Sequence, residues 1–287
     1  MTASLRGMNR MGAGWRSIVP PARAKMDCEP ADKSDLGGTR SAHADQRRRR
    51  DRIELSVTYG LILLAVWTPL PWQRLISLAA LAWVLLATWL SFDGWSAMGL
   101  RGAGFLRSLW VAGAALLLAA AAVLVAARLQ TLHAPANFAL FVQRYWAYAI
   151  WAFLQEFLLL DFFLLRLLRL LPGRKAAVIA ATGLFVVAHL PNPILTVLTL
   201  LWGWASCRLF LHYRNLYTLA MAHAILGISI AITIPGPVDH NMRVGLGYLT
   251  YRANKFSHRS QKDQTVSTQA WVMAEAPTRR SWRQARP

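Results

Sequence analysis

Long apolar stretches, separated by short polar or proline-containing breaks, dominate the sequence between residues 53 and 236. A helix needs about 20 mainly apolar residues to cross a bilayer. The candidate stretches are Leu55–Leu70, Leu75–Phe92, Ser108–Ala127, Tyr145–Leu165, Ala176–Leu190, Ile194–Cys207 and Leu216–Ile234. This pattern predicts an all-α fold, a polytopic membrane bundle of about seven to eight transmembrane helices.

Two of these stretches, Ala176–Leu190 and Ile194–Cys207, are short for a full crossing. They flank the sequence Pro191-Asn192-Pro193, which breaks helical structure. Irregular backbone at membrane depth is tolerated only against protein or a wet cavity. We therefore expect one of the two to enter the membrane only partly.

Polar sequence flanks the apolar region on both sides. Of the 32 Lys and Arg residues, 12 lie in residues 1–52 and 9 in residues 243–287. The mixed charge and the Gly, Pro and Ser content of these tails are typical of disorder. We predict a disordered basic N-terminal tail over 1–52, a transmembrane domain over 53–236 and a polar basic C-terminal tail over 237–287. No apolar stretch occurs early in the first tail, so we expect no cleaved signal peptide.

Composition narrows the class of protein. Hydrophobic residues make up 55% and charged residues 16%, which excludes an ordinary soluble enzyme and a disordered protein. The net charge of +19 does not predict nucleic acid as a partner, because the body is apolar. Basic tails instead favour anionic membrane lipids, at about 1 kcal/mol per nearby Lys or Arg. The two cysteines, Cys28 and Cys207, are expected to be free thiols.

The basic residues in the loops predict the orientation of the chain. If the N-terminus is cytoplasmic, the inner loops hold Arg101, Arg107, Arg166, Arg169, Arg174, Lys175, Arg208 and Arg214, and the outer loops hold Arg74, Arg128 and Arg144. Cytoplasmic loops carry the excess of Lys and Arg. The sequence therefore predicts a multi-pass protein of the cell membrane with a cytoplasmic N-terminus.

Four ionisable residues interrupt the apolar helices: Glu156, Asp161, His189 and His223. A charged residue at the centre of a membrane helix costs about 2.5–3.5 kcal/mol, so such residues usually face a cavity or a partner. Glu156 alone has a structural interpretation, as a protonated acid that joins two helices. Each histidine alone has one too, as an interhelical hydrogen bonder. One acid and two histidines on three different segments indicate a site that activates water, binds metal or relays a proton.

Asp161 is harder to place in that site. Five residues on an α-helix separate it from Glu156 by about 140°. We therefore expect that the two carboxylates do not share a face, and that Asp161 pairs with Arg166 or Lys175 near the inner surface.

Three motifs follow one another along these helices. They read Gln155-Glu156-Phe157-Leu158-Leu159-Leu160, Phe185-Val186-Val187-Ala188-His189 and His223-Ala224-Ile225-Leu226-Gly227. Their order and spacing over residues 146–234 resemble the CPBP family, the membrane-embedded CAAX-processing and bacteriocin-processing proteases. That family has Glu-Glu-x-x-x-Arg, Phe-x-x-x-His and His-x-x-x-Asn. The chain departs from it at Gln155, Leu160 and Gly227, where the family has Glu, Arg and Asn.

The resemblance implies an intramembrane endopeptidase that uses no cofactor and cuts a peptide or protein substrate in the membrane. Glu156 would accept a proton from a water that His189 also holds, and His223 would stabilise the oxyanion. Supporting roles fall to Gln155, Phe185, Gly227 and Asp161. On this interpretation, restoring Glu at 155 and Asn at 227 should raise activity.

Other interpretations use the same residues differently. Glu156, His189 and His223 supply three ligands of the types that catalytic zinc uses, although no His-Glu-x-x-His motif is present. The replaced family residues also suit a non-catalytic pseudoprotease scaffold. A small transporter is a further alternative, but it would be expected to show paired broken helices or repeats.

Overall fold

The computed structural model describes residues 33–92, 94, 98–100, 102 and 104–251, with side chains from residue 43 onward. The chain divides into two compact units, 1–45 and 46–287, and the site lies within the second. Every regular element in the described residues is helical, so the predicted all-α class is confirmed there. The α-helices are α1 (Lys33–Trp67), α2 (Trp72–Leu90), α3 (Phe105–Arg128), α4 (Phe138–Glu156), α5 (Leu165–Leu170), α6 (Arg174–Val187), α7 (Pro193–Tyr213), α8 (Leu216–Thr233), α9 (Gly236–Asp239) and α10 (Gly245–Leu249). A π-helical segment, Phe157–Leu164, joins α4 to α5, and a 3-10 turn, His240–Met242, follows α9.

Five helices among the described residues are long and apolar enough to cross a membrane. They are Trp72–Leu90, Phe105–Arg128, Phe138–Leu170, Pro193–Tyr213 and Leu216–Thr233. The predicted number of seven to eight is therefore not confirmed. The first half of α1 is charged, and α6 has only 14 residues. The other short stretch, Ile194–Cys207, lies in a full 21-residue helix, α7.

The predicted N-terminal tail ends earlier than expected. Helix α1 begins at Lys33, so the disorder predicted up to residue 52 is wrong for residues 33–52. The physical reason is that this helix carries two acids into the protein, Asp51 and Glu54, which are only 3% and 5% exposed. The predicted disorder of residues 1–32, and Cys28 with it, falls outside the described residues. Cys207 is a free, buried thiol as predicted.

The C-terminal tail also begins later than predicted. The amide of Asn192 donates to the backbone oxygens of Asp239, at 2.8 Å, and Arg243, at 3.1 Å. The amide N–H of Gly245 donates to the carbonyl of Leu190 at 2.8 Å. Residues 237–251 are therefore folded against the loop that follows α6, and the prediction of a loose tail there is wrong. The remainder of that tail, 252–287, falls outside the described residues.

Asparagine side chains fix where three of the helices begin. The side-chain oxygens of Asn137, Asn192 and Asn215 accept the backbone N–H three residues ahead, at 2.9, 3.1 and 3.1 Å. Each such N-cap contributes about 1 kcal/mol. Pro193 at the first turn of α7 needs no N–H partner, which explains why the Pro-Asn-Pro sequence starts a helix here.

Helix α8, which carries His223, packs against both α3 and α4, while α6 packs against α7. Ser108 of α3 and Thr218 of α8 share a buried hydrogen bond of 2.8 Å. Tyr59 of α1 donates to the carbonyl of Leu184 on α6 at 3.1 Å. These contacts bring the helices that bear the three motifs around one interior.

Two ion pairs, one buried and one partly buried, join α1 to α5. The guanidinium of Arg166 donates twice to Oε2 of Glu54, at 2.6 and 2.8 Å. Arg169 forms a bidentate pair with Asp51, with both distances 2.7 Å. Breaking a buried pair by removing one partner leaves the other charge uncompensated.

We expect Glu54→Ala to destabilise the protein by roughly 3–5 kcal/mol, because the buried Arg166 loses its carboxylate. The measurement is the apparent unfolding temperature in detergent. Asp45→Asn is the matched control, since it removes an exposed acid from the same helix. Equal unfolding temperatures for the two variants would show that the Glu54–Arg166 pair contributes nothing.

Candidate active site

The first motif runs from the end of α4 into a π-helical segment. Residues Phe157–Leu164 follow Glu156 with π rather than α hydrogen bonding. Such segments are rare and occur frequently at functional sites. Because the bonds run from i to i+5, Asp161 lies one π-helical turn after Glu156. The predicted separation of about 140° is therefore wrong, since it assumed the 3.6 residues per turn of an α-helix.

Glu156 is completely buried and bonds to two aromatic N–H groups. Its Oε1 atom accepts from Nδ1 of His223, at 2.9 Å, and from the indole Nε1 of Trp202. Its side chain is 0% exposed, and Oε2 has no partner among the described residues. The carboxylate of Glu156 therefore fixes the orientation of the His223 ring.

His189 presents one ring nitrogen to the interior. Its Nδ1 lies 2.7 Å from the backbone oxygen of Phe185, one helical turn earlier. A carbonyl oxygen only accepts, so Nδ1 carries the proton, and the lone pair of the neutral ring is on Nε2. That Nε2 atom lies 3.5 Å from the amide nitrogen of Gln155, a long hydrogen bond.

Phe185 packs against both imidazoles. Its ring centroid is 4.7 Å from that of His189 and 6.2 Å from that of His223, edge-on in each case. The contact with His189 is the one that their four-residue spacing predicts. On the far side, a Cβ atom at Gly203 would lie 3.1 Å from Cδ1 of Phe185, so α7 needs a small residue there.

These residues form part of the wall of one cavity of about 820 Å³. Most of its wall is apolar. The residues that matter here are Tyr148, Gln155, His189, Trp202, His223 and Gly227. Cavities of a few hundred to a thousand Å³ with a few convergent polar groups are typical ligand sites. Glu156 stands behind this wall, because none of its surface is exposed.

Gly227 lies where the phenol of Tyr148 approaches α8. A Cβ atom built on Gly227 would be 2.5 Å from Cζ of Tyr148 and closer still to its hydroxyl oxygen. Restoring Asn at 227 would therefore force Tyr148 to move. The gain in activity that the sequence alone suggested for this restoration is not what the geometry predicts.

Asp161 stands apart from the histidines. It is 5% exposed, and neither carboxylate oxygen has a hydrogen-bond partner within the described part of the chain. The predicted pairing with Arg166 or Lys175 is wrong, because neither carboxylate oxygen of Asp161 accepts a hydrogen bond from a described residue and the Arg166 guanidinium is held by Glu54. Asp161 lines a second cavity of about 290 Å³, together with Arg166 and Arg214.

The zinc alternative does not fit this arrangement. No group of three or more His, Cys, Asp and Glu side chains is placed to hold a metal ion in residues 43–251 as far as they are described. Glu156 bonds to a neighbouring histidine and to Trp202 and does not converge with the imidazoles on a common point.

Sequence reasoning missed two residues of the site, Trp202 and Tyr148. Trp202 is one of 13 tryptophans, and nothing in its surroundings on α7 separates it from the aromatic residues at membrane interfaces. Tyr148 lies two helical turns before Glu156, outside every motif. Only the glycine at 227 gave a signal, since a missing side chain leaves room for a neighbour.

Comparison with known families supports the resemblance seen in the motifs. Residues 137–228 match the family described as type II CAAX prenyl endopeptidase, Rce1-like. This match supports membership of the CPBP family over that part of the chain. The match covers about a third of the chain, from the N-cap of α4 to just past Gly227. All three CPBP motifs fall within it. No curated protein and no solved structure matches the chain.

Proposed function

We propose that this chain is an intramembrane endopeptidase that hydrolyses a peptide bond inside the cavity of about 820 Å³. The observation that carries the proposal is the 2.7 Å contact between Nδ1 of His189 and the backbone oxygen of Phe185. The Nδ1–H of His189 is bound there, which leaves a basic lone pair at Nε2 on the cavity wall. An unprotonated imidazole nitrogen that faces a cavity can accept a proton from a water molecule held there.

His189 would be the general base in this mechanism. Gln155 occupies the position of the family's first Glu and cannot accept a proton. Its amide N–H makes a long hydrogen bond of 3.5 Å to Nε2 of His189, which the attacking water would displace, and its carbonyl oxygen can accept a hydrogen bond from that water. Gln155 would thus position the water, and His189 would remove its proton.

His223 would stabilise the charge that develops on the substrate carbonyl. Its Nδ1–H is held by Glu156, so a protonated ring directs Nε2–H into the cavity. The carboxylate of Glu156, which also accepts from Trp202, compensates the positive ring and fixes its orientation. This role differs from the direct base role that the sequence suggested for Glu156.

The reaction balances without any co-reactant except water. The water oxygen bonds to the carbonyl carbon while its proton moves to Nε2 of His189. The carbon–nitrogen bond then breaks, and the proton passes from His189 to the leaving amine. One carboxyl and one amino terminus result.

The test is cleavage of membrane-spanning peptides by the purified chain in liposomes, read by mass spectrometry. New termini that appear with the wild type and not with Glu156→Gln would support the proposal. The alternative result is that the wild type cuts none of the peptides, while the Glu156→Gln and His189→Gln variants keep full biological effect in cells. That result would favour the non-catalytic pseudoprotease scaffold. That second candidate rests on the replacement of two family residues by Gln155 and Gly227.

We expect chelators to leave cleavage unchanged, since the residues on the cavity wall supply two imidazoles and no third ligand. The measurement is the initial rate after dialysis against 1,10-phenanthroline, with a known zinc peptidase treated alongside. Loss of activity that added zinc restores would contradict the metal-free mechanism.

We further propose a cell-membrane protein with a cytoplasmic N-terminus, in which the apolar half of α1 and the short α6 join the five longer spans. The pairs Arg166–Glu54 and Arg169–Asp51 support this, because they hold basic residues assigned to the inner loops beside the start of the first span. Arg101, which was assigned to the same side, lies outside the described residues. An N-terminal tag that is labelled from outside intact cells would contradict the orientation.

A further inference from the structure

The hydroxyl of Tyr148 reaches the same face of α8 as His223. Residues four apart on a helix lie one above the other, so Gly227 is directly beyond His223. The phenol of Tyr148 comes from α4 and abuts Gly227, where it fills the volume that a side chain would occupy. The same cavity of about 820 Å³ is lined by His223, Gly227 and Tyr148.

This hydroxyl is not used elsewhere. Among the described residues the structure gives Tyr148 no hydrogen-bond partner, in contrast to Tyr59 and Tyr217, which donate to carbonyl groups. A phenol in an apolar interior normally has a partner. A donor on the cavity wall without a protein partner indicates a ligand atom that accepts.

We propose that Tyr148 is a second oxyanion donor, and that its O–H and Nε2–H of His223 together bind the substrate carbonyl oxygen. This inference rests on the proposed peptidase function. As water adds to the carbonyl carbon, the π electron pair moves to the oxygen, which accepts both hydrogen bonds. The electron pair returns when the carbon–nitrogen bond breaks, so Tyr148 neither gains nor loses a proton.

The arrangement also accounts for glycine at 227. Any side chain there would displace the phenol, because even a Cβ atom is too close to it. The position therefore needs glycine for as long as Tyr148 supplies the donor. Gly227 and Tyr148 act as one unit, so their substitutions should not be additive.

We expect Tyr148→Phe to lower kcat by about 10²–10³-fold, the usual effect of removing one oxyanion donor. The substitution keeps the ring, so KM should stay within about twofold of the wild type. Tyr145→Phe is the matched control. Tyr145 is buried on the same helix and packs on Phe141, away from the residues that line the cavity.

A binding measurement separates a donor from a space filler. The probe is a peptide phosphinate, whose tetrahedral anionic group resembles the oxyanion, compared with the uncut peptide amide. Binding is read from tryptophan fluorescence. Tyr148→Phe should weaken the phosphinate at least about tenfold and leave the amide unchanged, because only the charged form needs the donor. Gly227→Ala, which displaces the phenol, should have the same effect, and the double variant should be no worse than either single one.

The outcomes distinguish the two claims. If the wild type cuts peptide and Glu156→Gln does not, while Tyr148→Phe retains full kcat and phosphinate affinity, the inference about Tyr148 is wrong and the peptidase stands. Equal weakening of phosphinate and amide would also overturn it, since that is what a space filler does. If the wild type neither cuts peptide nor prefers the phosphinate, the peptidase itself fails, and the oxyanion role fails with it.

Discussion

Replacing His189 with glutamine should lower the rate of peptide cleavage by about 10²–10⁴-fold, the usual contribution of a general base. Glutamine is close to histidine in size, so the loop after α6 should keep its conformation. What it lacks is the basic lone pair that His189 presents at Nε2. The measurement is kcat for a cleaved membrane peptide in liposomes.

His212→Gln is the control for this substitution, because His212 is exposed at the end of α7. It should leave kcat unchanged. If His189→Gln retained a rate similar to that of His212→Gln, the base would have to be another group, and the role assigned to His189 would be wrong.

Replacing His223 with glutamine should lower kcat by about 10²–10³-fold, because the substitution removes the charged oxyanion donor. It also leaves Glu156 buried without its ionic partner, so the two residues should behave as a unit. We therefore expect Glu156→Gln to cost much less in a His223→Gln background than in the wild type. The measurement is a double-mutant cycle on kcat.

Additivity of these two substitutions would contradict the account. It would mean that Glu156 acts on the substrate independently of His223, as the sequence motifs alone suggested. The unfolding temperatures of all three variants serve as the control, because removing one partner of a buried pair can itself destabilise the protein.

The sequence was sufficient for the features that depend on composition and local pattern. Apolar stretches bracketed by arginines predicted membrane helices, and five described helices are long and apolar enough to cross. The spacing of Phe185 and His189 predicted their contact. The isolation of Glu156, His189 and His223 on apolar helices indicated a common site. In the structure both histidines line one cavity, and Glu156, behind its wall, bonds to His223 at 2.9 Å.

Features that depend on distant residues were not accessible in this way. The π-helical segment changes which face carries Asp161, and nothing in a run of Leu and Phe indicates i to i+5 bonding. The burial of Glu54 and Asp51 in α1 depends on Arg166 and Arg169, which lie more than 100 residues away along the chain. The predicted disordered tail therefore included Asp51, which is buried.

The role of Glu156 shows the same limit within the site. The motif places it next to the position of the family's base, but Trp202 and His223 occupy Oε1 and keep it away from the cavity. Trp202 comes from α7, and from the sequence its indole could face lipid as readily as it could face the carboxylate of Glu156. Only the packing of α7 and α8 against the π-helical segment decides between these positions.

The most direct test of the mechanism is to follow labelled oxygen from water into the product. The purified chain in liposomes is incubated with a membrane peptide in isotopically labelled water, and the new carboxyl terminus is analysed by mass spectrometry. We predict one labelled oxygen in that carboxyl group with the wild type, and no cleavage above background with His189→Gln. Absence of any labelled product from the wild type, or equal labelling by the His189→Gln variant, would contradict the claim that His189 activates water for peptide hydrolysis in this cavity.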